Sequence, residues 1–328
     1  MSNTNMNKAK AEKNDEFYTR LTDIEDELKN YKDMFRGKTV LCNCDDPKWS
    51  NFWIHLHKKF TTYGLKELIS THYEPNGSSY CLTYNHNGYT CADDWDTETG
   101  FERPLKGNGD FRSEECIELL KKADIVITNP PFSLFREYVA QLKEYKKDFI
   151  IIGNFNAVIC KKIFPLIRND AIRIGYNFVK EFIQPDGTAK KFGNICWYTT
   201  LPVRTHMEPF PFIRRYADDP TKYPKYDCYD AINVDKVCDI PEDYDGVMGV
   251  PITFMTRFNP NEFDIVSFRK AEDDKDLVFT SKEERENPTV LSHPCTTCVG
   301  GILQGAEGKI NGKKTYARVL IRRKKENI

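Results

Sequence analysis

The chain has 328 residues, with 40% apolar and 30% charged side chains and a net charge of −1. These values fit one large domain or two ordinary ones, and the charge balance alone points to no polyanionic partner. No run of about 18 uncharged apolar residues marks a membrane span, and the first residues have no apolar signal core. Eleven scattered cysteines suit a reducing compartment better than a disulfide framework, so a cytoplasmic location is expected.

The predicted elements alternate. Residues 1–14 are polar and lysine-rich. Thr22-Asp23-Ile24-Glu25 has the spacing of a capping box; Ile24, Leu28, Tyr31 and Phe35 follow at helical spacing, and Gly37 closes the helix. "KTVLCNC" is a short strand stopped by Asp45-Asp46-Pro47. "SNFWIHLHKKF" is a helix with Ser50 as its cap. "LKELIST" is a second strand ending near Tyr73-Glu74. "SYCLTYNHNGYTCADD" reads as a hairpin insertion turning at Asn87-Gly88. "SEECIELLKK" is a helix with acids in its first turn, and "ADIVITN" a buried strand. "SLFREYVAQLKEYKK" is a helix with Leu134, Tyr138, Val139 and Leu142 on one face. "DFIIIGN" is a further strand and "AVICKKIFPLI" a further helix.

Strands and helices alternating over 38–170 predict a parallel sheet covered by helices. "AIRIGYNF" and "NICWYTTL", joined by a polar loop with no helix, predict an antiparallel pair at the sheet edge. Residues 203–250 are rich in Pro, Asp and Tyr; "VPITFMTRF" and "YARVLIRR" beyond are strand-like. A boundary is expected near residue 202. Cys295 and Cys298 form a lone C-x-x-C. It supplies two of the four ligands of a structural zinc, so two free thiols and no metal are expected.

In an open parallel sheet, ligands bind outside the carboxyl ends of the strands. Asn43 to Pro47, Tyr73-Glu74 and Asn129 to Phe132 are such tips, and Asp110 lies in a turn able to face the same crevice. Glu74 is the kind of acid that takes ribose hydroxyls, or else a surface glutamate. Asp110 can accept from an exocyclic amine, or else simply form a turn. Neither G-x-G-x-x-G after the first strand nor a P-loop is present.

Asn129-Pro130-Pro131-Phe132 is the most informative stretch. The prolines freeze the backbone. The Asn129 side-chain oxygen and the Pro130 carbonyl are two fixed acceptors for a planar amino group, and Phe132 can stack on the ring that carries it. An extruded base is read in this way.

"TNPPF" looks like the catalytic motif of amino-group methyltransferases that use S-adenosylmethionine. "DEFYTRLTDIEDELKNY", "VLCNCDDPKWSNF", "GDFRSEECIELLKKADIVITNPPFSLFREY" and "YPKYDCYDAINVDKVCDIPEDYDGVMGVPITF" closely resemble the EcoRI-type adenine-specific DNA methyltransferase family. The resemblance implies an α/β fold: a Rossmann-like class I methyltransferase sheet with helices on both faces, plus a C-terminal target-recognition region. It implies a catalytic, S-adenosylmethionine-binding domain over 1–202 and a DNA target-recognition region over 203–328.

By the same resemblance, Phe17, Tyr18 and Thr19 would hold the methionine part of the cofactor. Asn43, Asp45 and Asp46 stand where other methyltransferases carry a glycine-rich loop. Glu74 would take the ribose, and Asp110 with Phe111 the cofactor adenine. Asn129, Pro130, Pro131 and Phe132 would be catalytic. Phe132, and Phe178 or Phe192 from the loop between the edge strands, would stack on the flipped base. Arg204, Arg214, Arg215, Lys225 and Asn233 lie in the region expected to contact DNA.

The implied reaction is N6 methylation of adenine in a short duplex site, GAATTC or a related palindrome. The implied partner is double-stranded DNA, with no membrane. A monomer is expected, with a dimer as the alternative, in a bacterial or phage-infected cell. A cognate restriction endonuclease would share the site without binding the enzyme. An RNA or a protein glutamine is the alternative substrate, and a catalytically silent DNA-binding relative the alternative class.

Overall fold

The computed structural model describes residues 18–44, 46–75, 77, 79–85, 101–183, 188–227, 230–268, 309–316 and 318–324. Phe17, Asp45, the Asn87-Gly88 turn and the Cys295/Cys298 pair lie outside the described residues. Two compact units divide the chain: Met1–Asn156 with Ile172–Pro202, and Ala157–Ala171 with Val203–Ile328.

The first unit comprises β1 (Tyr18–Thr19), α1 (Leu21–Leu28), β2 (Thr39–Cys42), α2 (Asn51–Lys58), α3 (Phe60–Tyr63), β3 (Glu67–Thr71) and β4 (Tyr80–Tyr84). It continues through β5 (Phe101–Pro104), α4 (Glu114–Lys122), β6 (Ile125–Thr128), α5 (Phe135–Glu144), β7 (Asp148–Asn154), β8 (Arg173–Ile183) and β9 (Ala189–Thr199). They build a 9-stranded mixed sheet in the order β1-β8-β9-β7-β6-β2-β3-β4-β5.

The central strands β3, β2, β6 and β7 are parallel, and every residue of β2, β3 and β6 is buried. Apart from Glu67 at the start of β3, which pairs with Lys122, these residues are apolar or small and polar, as a sheet covered on both faces requires. From β2 the chain steps to β3 on one side and later to β6 on the other. That reversal makes the carboxyl ends of β2 and β6 the topological switch point, where ligands of open α/β sheets bind. Antiparallel strands flank the parallel centre on each side.

Local chemistry sets several helix starts. Ser50 accepts from Phe52 N at 3.1 Å, and Ser113 accepts from Cys116 N at 3.3 Å. Several sequence expectations need correction. The helix expected over 157–167 is a 3₁₀ turn, Phe155–Ile159, followed by a separate short α-helix, Phe164–Arg168. α1 begins one residue before Thr22, with Arg20 at its N-cap and no side-chain cap; Asp23 pairs with Arg20 instead (Nε to Oδ2, 2.9 Å). On α5 the buried face is Phe135, Tyr138, Val139 and Leu142, while Leu134 is the cap residue. β4 pairs with Phe101–Pro104, a partner beyond the expected hairpin. The antiparallel pair β8–β9 is longer than expected and is not the sheet edge, because β1 pairs with β8 outside it.

The second unit carries α6 (Phe164–Arg168) and a four-stranded sheet of β10 (Ala231–Asn233), β11 (Val247–Val250), β12 (Phe263–Phe268) and, beyond a short β13–β14 hairpin (Lys309–Ile310 and Lys313–Lys314), β15 (Val319–Arg323). The sheet order is β10-β11-β15-β12. "VPITFMTRF" is only partly a strand. β11 ends at Val250, and Ile252–Thr256 forms a 3₁₀ helix, with Phe254 N donating to Pro251 O at 2.9 Å. Proline has no N–H for a ladder, so it ends the strand. In its core Phe263 packs edge to face on both Phe210 and Phe254, whose own rings are tilted against each other.

Candidate active site at the carboxyl end of the central strands

The buried strand β6 delivers Asn129 to this switch point. Asn129 is 8% exposed, Pro130 is buried, and Pro131 and Phe132 are half-buried. Leu134 N donates to Pro131 O at 2.9 Å, which folds the chain into the first turn before α5. The Phe132 ring meets Phe182 at 5.9 Å and Phe192 at 6.2 Å, both edge to face. Such aromatic pairs contribute about 1 kcal/mol beyond their burial, so this packing fixes the ring plane.

Neighbouring β2 delivers Asn43, 3% exposed. Its Oδ1 accepts from the Tyr138 hydroxyl on α5. The Tyr138 ring meets Phe111 at 5.0 Å, and Gln141 Nε2 donates to Phe111 O at 3.1 Å. Asn43, Phe111 and α5 therefore form one connected cluster. Farther along the loop after β2, Asp46 accepts from the Tyr80 hydroxyl and lies 3.5 Å from His72 Nε2. The His72 and Tyr80 rings stack at 4.8 Å.

Beyond β3, Glu74 is half-buried and its N–H donates to Asn108 O at 2.9 Å. Gly109, at φ +77°, lies so close to the end of β3 that a Cβ there would stand 1.9 Å from His72 O. Only glycine fits this close approach. Asp110 is held in a two-point pair by Arg112 (Nε to Oδ1 2.9 Å, Nη2 to Oδ2 2.7 Å). The Arg112 hydrogen bonds hold its carboxyl below the usual carboxylate range. Tyr18 and Thr19 enter on β1, and Asn51 Nδ2 donates to Thr19 O at 2.7 Å.

Sequence reasoning missed Tyr138, His72, Tyr80, Gly109 and Asn51. Tyr138 had a signal: a tyrosine on the apolar face of a helix needs a partner for its hydroxyl. The others depend on contacts between segments far apart in the chain.

Two placements correct the expected stacking residues. Phe178 and Phe192 lie in strands β8 and β9 and not in a loop. Phe192 joins Phe132, whereas Phe178 is 39% exposed and packs on Phe155 at 5.3 Å. In the second unit, Asn233 is 4% exposed. Its Oδ1 accepts from Tyr226 at 2.8 Å and from Arg318 at 3.2 Å, and its Nδ2 donates to Asp235 at 2.8 Å. It is buried, and in this packing both lone pairs of its oxygen are taken up within the unit. Arg204, Arg214, Arg215 and Lys225 pair with Glu208, Asp239, Asp243 and Asp230 at 2.9 to 3.9 Å.

Among the described residues, no group of three or more His, Cys, Asp or Glu is arranged to hold a metal ion. No helix among them is long and apolar enough to cross a membrane.

The Asn129–Phe132 tip thus stands at the switch point of a mixed α/β sheet. The chain belongs to the EcoRI family of adenine-specific methyltransferases, whose family model matches residues 5–324, and it is an adenine-specific DNA methyltransferase. It is 43% identical over 310 residues to the Type II methyltransferase M.EcoRI of Escherichia coli, covering 86% of this chain and 94% of that protein. It is 36% identical over 341 residues to the Type II methyltransferase M.MpnI of Mycoplasma pneumoniae, covering 98% and 99%. A third relative, M.MgeORF184P of Mycoplasma genitalium, is 34% identical over 97% of this chain and 98% of its own length. No solved structure matches the chain significantly.

Proposed function

We propose that the protein moves a methyl group from S-adenosylmethionine to N6 of an adenine flipped out of a short duplex site, GAATTC or a related palindrome. The observation that carries this reading is the buried Asn129-Pro130 tip at the carboxyl end of β6, beside β2, where the sheet order reverses.

The donor, when bound, supplies an electrophilic sulfonium methyl group. The chain's own residues do the rest. The Asn129 side-chain oxygen and the Pro130 carbonyl accept the two hydrogens of the adenine amine. That draws the nitrogen toward tetrahedral geometry and frees its lone pair from the ring. The same acceptors stabilise the positive charge that develops on N6. No strong general base has to act before transfer, because the proton can leave afterwards. Pro131 locks the acceptors, and Phe132, braced by Phe192, offers a stacking face. That face offsets part of the few kcal/mol that unstacking the base costs.

The donor is assigned to Tyr18, Thr19, Asn43, Asp46, Glu74, Asp110 and Phe111, joined by Phe17 and Asp45. The residues fit a polar nucleoside cofactor. Thr19 Oγ1, Asn43 Nδ2, Thr71 Oγ1 and His72 Nδ1 are buried with no hydrogen-bond partner among the described residues. Buried polar atoms of this kind normally find partners, and a ligand rich in donors and acceptors would supply them. Asp110 would share its carboxylate between Arg112 and the cofactor.

Residues 1–202 are assigned to catalysis and 203–328 to target recognition, where Arg204, Arg214, Arg215 and Lys225 would contact DNA. The enzyme would act as a cytoplasmic monomer, and a cognate endonuclease would share its site without binding it. Asn129→Ala tests the chemistry: methyl incorporation into DNA should vanish while a gel shift keeps duplex affinity within about threefold. Full activity in that variant would sink the assignment. Single-molecule sequencing of plasmid DNA from expressing cells reports the modified base and its context together.

A further inference from the structure

Glu27, at the end of α1, is 0% exposed, yet nothing in the reaction uses it. Opposite it, strand β8 is bulged. Ile174 faces Tyr198 and Phe178 faces Cys196, so Gly175, Tyr176 and Asn177 stand against Trp197 alone. The carboxylate fills that gap. Oε1 accepts from Tyr176 N at 2.9 Å and from the Tyr31 hydroxyl at 2.9 Å. Oε2 accepts from Asn177 N at 2.9 Å and from Asn177 Nδ2 at 3.0 Å. Gly175 makes room, since a Cβ there would stand 2.2 Å from Oε1.

The carboxylate therefore replaces the strand partner that two backbone N–H groups of the bulge lack. A second tie runs parallel to it, from Arg20 Nη1 to Glu181 Oε2 at 2.9 Å. Both ties join the α1 segment to β8, and β1, which immediately precedes α1, pairs with the far end of the same strand through Thr19 and Phe182. Bulges next to active sites commonly re-aim or fix functional groups.

We propose that Glu27 is a positioning residue for the methyl donor: it fastens α1, and with it the Tyr18–Thr19 segment, onto the bulge of β8. The proposal rests on the assignment of Tyr18 and Thr19 to the cofactor. Burial pushes the Glu27 carboxyl up to about 6, so it is ionised at neutral pH with acceptors turned to every donor of the gap. A buried charge with a raised pKa costs the folded state stability at neutral pH. Such a group suits a role in placement better than one in stability.

The test compares Glu27→Gln, Glu27→Ala and Tyr31→Phe with wild type. Calorimetry gives the S-adenosylmethionine Kd, steady-state kinetics split KM from kcat, and hydrogen exchange follows the Tyr18–Thr19 amides without ligand. Glu27→Gln places an NH₂ group against the Asn177 donors. It should raise the cofactor Kd and KM about tenfold, the loss expected for hydrogen bonds to a charged group, with kcat at saturation kept within about twofold. Amide exchange across Tyr18–Thr19 should speed up in parallel. Tyr31→Phe leaves both backbone ties and should shift Kd less than about twofold. If Glu27→Ala does not fold, Glu27→Gln alone decides. Unchanged Kd and unchanged exchange in a folded Glu27→Gln protein overturn the proposal, as does a loss of kcat with Kd unmoved. A wild-type protein that binds no S-adenosylmethionine overturns the donor assignment and the cofactor role together, while amide exchange still reports separately whether Glu27 holds the segment.

Discussion

Glu27 also gives the molecule a pH signature. Its folded-state pKa, about 6, stands above the ordinary value of 4.5, so the folded state holds the proton more tightly than the unfolded chain. The stability this group contributes is present below about pH 4.5 and is lost as pH rises through about 6, a swing of about 2 kcal/mol. Glu27→Gln lacks this titration. Urea unfolding at about pH 4 and pH 7.5 should therefore show the stability difference between wild type and variant moving by about 2 kcal/mol in favour of the variant at the higher pH. Gly109 is a second residue whose environment fixes its identity. Gly109→Ala must hold a side chain at φ +77° and push a methyl group into His72 O, at a cost of about 3 kcal/mol from strain and overpacking together. Thermal denaturation would register the loss, and an unchanged midpoint would contradict the close approach.

At the scale of elements, the β8–β9 hairpin couples the sheet to the site through Phe192. Phe192→Ala removes one of the two rings that brace Phe132. It should slow methyl transfer about tenfold, near 1.4 kcal/mol, with cofactor affinity preserved; single-turnover kinetics and calorimetry measure the two separately. Elements governed by local rules were legible in the sequence: the Ser50 cap, the buried strand leading to Asn129, and the alternation of strands and helices that makes the parallel centre. Local rules give way where a distant segment decides. Thr22 caps nothing because the helix begins before it, at Leu21, with Arg20 at the N-cap. Asn233 looked like a polar reader in a polar stretch, yet Tyr226 and Arg318 draw it inside. The arms of β8 and β9 looked like loop because their residues are polar, and only pairing makes them strands. The bulge at Gly175 has no signature in one sequence, since it exists only where Glu27 meets it. At the candidate site, the Asn-Pro-Pro-Phe tip was readable because its chemistry is contiguous. The Asn43–Tyr138–Phe111 cluster was not, because it joins three separate stretches.

At the scale of the whole molecule, a net charge of −1 requires a DNA-binding protein to segregate its charge. Arg204 has an 81% exposed side chain and pairs with Glu208 only at the surface, where such a pair adds little stability. Arg204→Ala should leave the melting temperature nearly unchanged. If Arg204 meets a phosphate, it should lower the slope of log affinity for duplex DNA against log salt by about 0.9, read by titration at several salt concentrations; an unaltered slope removes Arg204 from the interface. The division of the chain has a separate consequence. Ala157–Ala171 belongs to the second unit although first-unit sequence lies on both sides of it, so the backbone passes between the units three times. A single protease cut after Pro202 would leave the downstream fragment without that segment's covalent connection but still bound to it by packing.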